Sequence, residues 1–95
     1  MSGLMIIRPI HLLPGREQEA IRWLRETEAL RRQAGQISQM ILHNVVDSND
    51  YEFVQIWESR AAYEEWRNTT TRAGLADERA HYLTHSPTRL YDIVG

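Results

Sequence analysis

The strands encoded by this sequence are apolar on both faces, and that narrows what the chain can fold into. Leu4 to Leu13 (LMIIRPIHLL) is almost continuously apolar. Its alternate residues set Ile6, Ile10 and Leu12 on one side, and Met5, Ile7, Pro9 and Leu13 on the other. Gln36 to Asp47 sets Met40, Leu42 and Val46 against Ile37, Ile41 and Val45. Tyr51 to Trp57 sets Phe53 and Trp57 against Val54 and Ile56. A half-solvated antiparallel sheet alternates apolar and polar residues instead. The 95 residues make one domain, 1–95, whose short helices cover only one face of a sheet. The simplest cover for the other face is a second copy of the same sheet, an isologous homodimer.

Between the strands the period changes. From Arg16, the residues Ala20, Trp23, Leu24, Thr27, Leu30 and Ala34 recur at helical spacing. Arg31 and Arg32 fall in the last turn, where the helix dipole favours cations, and Gly35 suits the residue after the helix. Asp47-Ser48-Asn49-Asp50 is a turn that joins the second and third strands as a hairpin. Ser59 is an N-cap for a helix to about Asn68, with Ala62, Tyr63 and Trp66 on its apolar face. Residues 69–72 read as loop, Ala73 to Leu83 as a further helix, and Arg89 to Val94 as the closing strand. The order is β-α-β-β-α-β with one extra helix. That predicts an α+β, ferredoxin-like domain with an antiparallel sheet and helices on one face.

Composition removes several function classes. Cys is absent, which excludes thiolate chemistry and Cys-held metals or clusters. All 11 basic side chains are Arg, so lysine Schiff-base chemistry is excluded too. The net charge of −2 lacks the basic excess of a nucleic-acid-binding surface. The longest apolar run, Leu4 to Ile7, is far short of the roughly 20 residues a membrane helix needs, and a cytoplasmic protein is expected. No dinucleotide fingerprint or phosphate-cradling Gly loop is present, so no flavin or nicotinamide cofactor is expected.

Four stretches resemble the antibiotic biosynthesis monooxygenase superfamily of dimeric α/β barrels. They are Leu12-Leu13-Pro14-Gly15-Arg16-Glu17, Gly35-Gln36-Ile37-Ser38, Trp57-Glu58-Ser59-Arg60-Ala61-Ala62-Tyr63-Glu64-Glu65-Trp66 and Arg89-Leu90-Tyr91-Asp92-Ile93-Val94. The third is the most specific, matching the family's Trp-x-Ser-x-x-x-aromatic-x-x-Trp pattern. The resemblance implies a homodimer with facing sheets and a pocket between each sheet and its helices. It implies cofactor-independent oxygenation of a small phenolic or quinol compound, haem degradation, or an activity not settled. The haem-degrading branch has an Asn on the first strand, a Trp on the second helix and a His ten residues later. Trp66 matches the second, but Arg8 and Ala76 stand at the other two, which argues against haem degradation.

Arg8 shares a strand face with Ile6, Ile10 and Leu12. An unpaired buried guanidinium is costly. It is expected either to pair with an acid such as Asp92 or Glu52, or to meet an anionic ligand oxygen in a pocket. Trp66 and Tyr63, with Tyr82 and Leu42, are candidate walls for an aromatic substrate, while Trp23 and Trp57 read as core. His43 and Asn44 lie on opposite strand faces, so one of them would face the pocket. There His43 is a candidate general base, and Asn44 would join Arg8 and Trp66 in stabilising an anion. His81 and His85, four apart, lack a third ligand, so no metal is expected. The alternatives are a non-catalytic dimer that binds a small aromatic molecule, or an isomerase or lyase of the same fold.

Overall fold

The computed structural model of the protein describes residues 3–95. Its sheet is built on β1 (Leu4–Leu12), which pairs antiparallel with β3 (Tyr51–Trp57) from Leu4 opposite Trp57 to Ile10 opposite Tyr51. The hairpin partner of β3 is β2 (Gln36–His43). The other edge of β1 is shared end to end by two short strands. β4 (Leu83–His85) pairs with Ile10–Leu12, and β5 (Arg89–Asp92) pairs with Leu4–Ile7. The sheet has five strands, ordered β2-β3-β1 with β4 and β5 beyond β1. Helices α1 (Glu17–Glu26), α2 (Glu28–Gln33), α3 (Arg60–Arg67) and α4 (Thr70–Arg79) complete the ferredoxin-like α+β domain. No helix among the described residues is long and apolar enough to cross a membrane.

The strand period decides which side chains meet the helices. Leu4, Ile6 and Ile10 of β1 are fully buried, as is Trp57 of β3, and they form the core with Phe53, Trp23, Leu24, Tyr63, Trp66 and Leu75. The opposite face carries Met5, Ile7, Pro9, Val54, Ile56, Met40, Leu42 and Tyr91, and among the described residues no helix lies over it; Met40, Leu42 and Tyr91 are each close to half exposed. Its polar exceptions include Arg89 and Glu52, which pair with each other at 3.4 Å.

Local chemistry shifts several boundaries from the sequence expectation. The single helix expected from Arg16 to Ala34 is two, because Thr27 Oγ1 donates back to the Trp23 carbonyl at 2.8 Å and interrupts the run. The second strand ends at His43, not Asp47. Asn44 Oδ1 accepts from the backbone N–H of Val46 and Asp47 at 2.7 and 3.0 Å, which turns the chain early. Val45 and Val46 are therefore exposed. A bulge between Gln36 and Ser38 also takes Ile37 out of the alternation. Ser59 caps α3 as expected, accepting from Ala62 N at 3.0 Å. The next helix starts three residues early, at Thr70, because Thr69 Oγ1 caps it by accepting from Arg72 N at 3.1 Å. It ends at Arg79, and the residues expected at its C-terminus feed β4.

Gly35 joins α2 to β2 at φ +119°, and a Cβ built there lies 3.0 Å from both Ala62 Cβ and Glu58 Oε1. Gly15 also has positive φ, +79°, but its Cβ would meet nothing within 4 Å. Gly35→Ala should therefore cost about 1–3 kcal/mol in urea denaturation. Gly15→Ala should cost only about 1 kcal/mol. Equal losses would show that the approach of α3 to Gly35 contributes nothing.

Candidate functional site

Arg8 lies on the helix-facing side of β1, opposite Phe53 of β3. Its Nε donates to Thr88 Oγ1 at 3.0 Å, and its Nη2 to the Tyr63 hydroxyl at 3.4 Å. The acids expected as partners are engaged elsewhere: Asp92 with Arg60 and Glu52 with Arg89, each at 3.4 Å. Among the described residues no carboxylate pairs with Arg8. Burial pushes its pKa down. Tyr63 opposes that shift, and Arg79 and Arg72 add to it.

Arg8 borders an inner chamber between the sheet and the helices. Phe53 and Gln55 form its sheet side, Arg31 and Leu24 come from the first helix pair, and Tyr63 and Trp66 from α3. α4 adds Arg72, Leu75, Ala76 and Arg79. Trp57 backs the two α3 aromatics, edge-on to Tyr63 at 5.4 Å and tilted against Trp66 at 6.0 Å. The chamber leaves about 40 Å³ of free volume. A wider outer cleft of about 310 Å³ adjoins it. The two share Arg8, Tyr63 and Arg72 as a common wall, and Arg67, His85, Thr88 and Leu90 complete the outer cleft. Among the described residues no Asp or Glu lines either space.

Arg31 is 5% exposed and is held by a network under the chamber. Its Nη2 donates to the Leu24 carbonyl at 2.6 Å and its Nε to Gln39 Oε1 at 3.1 Å. Gln39 Oε1 and Gln55 Oε1 each accept from Gln36 Nε2 at 3.1 Å. The guanidinium lies over the Phe53 ring at 5.2 Å. Burial lowers the Arg31 pKa to about 10, partly offset by Glu28, so it stays protonated at neutral pH. Arg79 is lowered in the same direction, by burial and by Arg72.

The structure thus brings Arg8, Tyr63 and Trp66 together, and places the other candidates outside both spaces. Leu42 is on the open sheet face, 44% exposed. His43 stacks on Tyr51 at 4.0 Å, with Nε2 bonded to the Ser48 carbonyl at 2.9 Å. Asn44 builds the hairpin turn and donates to Asp50 at 2.8 Å. These three residues sit at the hairpin end because β2 stops there. Tyr82 stacks on the outside of Trp23 at 5.7 Å, under the Arg16 guanidinium. His81 and His85 do not share a helix, and the described residues hold no group of three or more potential metal ligands.

Sequence reasoning misses Gln55, Arg72 and Arg79, reads Arg31 only as a helix-terminal cation, and pairs His85 with His81 as a possible metal ligand. Arg72, Leu75, Ala76 and Arg79 share one helix face at spacings of three, four and seven. That signal was hidden once residues 69–72 were read as loop. The three positions compared with the haem-degrading branch, Arg8, Trp66 and Ala76, do converge on the inner chamber. With arginine and alanine at two of them, and so little free volume, the site does not fit a haem.

The fold and site define a ferredoxin-like α+β domain with a basic, aromatic-walled pocket beneath its helices. The family model described as antibiotic biosynthesis monooxygenase matches residues 4–83, and the chain belongs to that family. Among solved structures it is similar to SnoaB, a cofactor-independent oxygenase from Streptomyces nogalater. The TM-score is 0.84 at 14% identity, covering 100% of this chain and 96% of that one. It is also similar to a conserved protein of unknown function from Bacteroides thetaiotaomicron, described as a possible oxidoreductase. There the TM-score is 0.78 at 11% identity, with 97% and 98% covered. A Pseudomonas aeruginosa protein gives a TM-score of 0.69 at 22% identity, with 98% and 93% covered. Such likenesses speak to the fold alone. A search of curated proteins finds no sequence match.

A desolvated guanidinium without a carboxylate opposes folding of the empty protein. Arg8→Met should therefore raise the stability of the ligand-free protein, by about 1–3 kcal/mol in urea denaturation. A loss instead would mean that the bonds to Thr88 and Tyr63 outweigh the cost of desolvation.

Proposed function

We propose that the protein is a cytoplasmic, cofactor-independent monooxygenase that oxidises a small phenolic or quinol-type substrate between its sheet and helices. The observation that carries this reading is Arg8: a half-buried cation beside aromatic walls, with no acid paired to it among the described residues. Preorganised positive charge stabilises an oxyanion most where water is excluded. Loss of a substrate proton leaves an anion spread over a ring carbon and its phenolic oxygen. The arginines hold that oxygen and so favour the anion. The anion passes one electron to O₂, giving superoxide and a substrate radical. These combine as a peroxide at carbon, and loss of water leaves a carbonyl. In sum a CH₂ group and O₂ become C=O and H₂O, with the substrate supplying every electron.

The outer cleft holds the base. His85 Nδ1 lies 2.8 Å from the Ser86 carbonyl. A carbonyl only accepts, so Nδ1 carries the hydrogen and Nε2 keeps its lone pair. Burial lowers the His85 pKa; the Ser86 bond opposes this, and Arg8, Arg79 and Arg72 add to the lowering. The ring is therefore neutral and able to accept a proton at pH 7. This takes the role that sequence reasoning gave to His43.

The test is oxygen uptake by the purified protein against hydroquinones, catechols and anthrones. Arg8→Met should lower turnover about 100-fold, and Trp66→Phe should raise KM. The rate should be full near neutrality and fall on the acid side, at lower pH than for an ordinary histidine, as His85 protonates, and His85→Gln should remove that acid limb. Conversion under nitrogen would instead indicate an isomerase or lyase. A ligand bound and recovered unchanged in air would indicate a binding protein.

The working form of this proposal is a homodimer joined through the open sheet face. A second copy fits because the face is apolar and its Arg89–Glu52 charges already pair within one chain, leaving no unmatched ion pair for a two-fold axis to bury. Met40→Arg should convert the dimer to a monomer in light scattering while the helical circular dichroism is kept. A wild-type monomer would overturn this arrangement.

A further inference from the structure

The nitrogen groups that the inner chamber leaves unpartnered among the described residues are donors. Gln55 shows this most clearly. The Trp57 indole Nε1 can only donate, so the Gln55 atom 3.0 Å away is its carboxamide oxygen. That oxygen also accepts from Gln36 Nε2 at 3.1 Å. The Gln55 NH₂ is left without a partner among the described residues, on a side chain 2% exposed that lines the chamber. Arg31, equally buried, has one terminal nitrogen beyond those bonded to Leu24 and Gln39. The guanidinium groups of Arg72 and Arg79 make no hydrogen bond or ion pair among the described residues. A ligand with acceptors and negative charge satisfies such a lining.

Volume then decides which part of the ligand enters. A cavity that admits benzene has about 150 Å³, and the inner chamber offers about 40 Å³. A ring is excluded and a small head group is not. The outer cleft, at about 310 Å³, has room for a ring beside Tyr63, Leu90 and His85. Arg8 and Arg72 stand where the two spaces meet.

From this we infer that the inner chamber is a subsite for the carboxylate of an aromatic acid whose ring lies in the outer cleft. This rests on the proposed reading of the same site and makes it more specific: the substrate is a hydroxyaromatic acid, not a neutral quinol. The carboxylate anchors the ligand through Arg31, Arg79 and the Gln55 amide, while Arg8 and Arg72, where the two spaces meet, keep the phenolic oxygen. The ring hydroxyl then faces the outer cleft and His85.

The test is calorimetric binding under nitrogen, where turnover cannot contribute. The probes are 4-hydroxybenzoate, its neutral analogue 4-hydroxybenzamide and inorganic phosphate. The acid should bind at least about tenfold tighter than the amide, and tighter than phosphate. Arg79→Met should weaken the acid about tenfold and leave the amide unchanged. Among the described residues Arg79 makes no side-chain bond whose loss would unfold the chain, and circular dichroism checks that. Equal affinity for acid and amide would overturn the subsite, as would phosphate binding as tightly as the acid. So would a preference for the acid that survives Arg79→Met combined with Arg72→Met. Acid-selective binding without oxygen uptake would sustain the subsite and sink the oxygenase reading. Oxygen uptake on neutral quinols without acid preference would do the reverse.

Discussion

The antiparallel β1–β3 ladder is the constraint on which the rest of the molecule depends. Its register sets Leu4 opposite Trp57, Ile6 opposite Gln55 and Arg8 opposite Phe53. Side chains alternate along a strand, so this one register turns Arg8, Phe53 and Gln55 together towards the helices. A slip of one residue in β1 would bring Met5 and Ile7 inward and carry Arg8 to the open face. Burial opposes that slip, because Leu4, Ile6, Ile10 and Trp57 would lose the most apolar contact. The polar site is thus held in place by the apolar residues on either side of Arg8 along the same strand face.

The cost of that placement is electrostatic. Arg8, Arg31, Arg72 and Arg79 converge on one small space, and Arg8 and Arg79 are each shifted by burial and by one another's neighbours in the same unfavourable direction. Structural arginines in proteins pair with acids, and this chain has 13 acidic side chains to draw on. Glu19, Glu28, Glu52, Glu64 and Asp92 do pair with arginines, at the surface. Among the described residues the four pocket arginines have none; Arg22 and Arg25 also have none, but they lie exposed at the surface. The Gln36–Gln39–Gln55 network beneath them neutralises no charge; it orients Arg31 and aims an amide into the same chamber.

Much of this was legible in the sequence. The apolar strands, the Ser59 cap, the Trp57-to-Trp66 stretch and the oddity of Arg8 on an apolar face all read directly. β4 was not legible, because three residues with one buried apolar side chain carry no period. The start of α4 was hidden in Thr69-Thr70-Thr71, which has the composition of a loop while its first residue acts as a cap. That concealed Arg72 and the helix face it shares with Arg79. His43 and Asn44 were misplaced for a related reason. A run of apolar residues extends past Asn44, but its side chain bonds the backbone two and three residues on, and such local bonds outweigh the weak strand preference of an exposed segment. Arg31 suited a helix C-terminus equally well as a surface cation. Only the tertiary contact of α2 with β2 shows it to be buried.

Why these cations are arginines follows from the same burial. The Arg31 pKa is brought down to about 10 and still leaves the group charged at neutral pH. A lysine begins near 10.4, about two units below arginine. The same desolvation would carry it close to neutrality, and an unprotonated amine binds no anion. Guanidinium is also more weakly hydrated than ammonium and meets a carboxylate through two parallel N–H groups, so less is lost on burial and more recovered on binding. A chamber meant to stay cationic while excluding water therefore has one usable side chain. Here four of them meet there, with an unpartnered amide added. Their common requirement is an acceptor brought by the ligand.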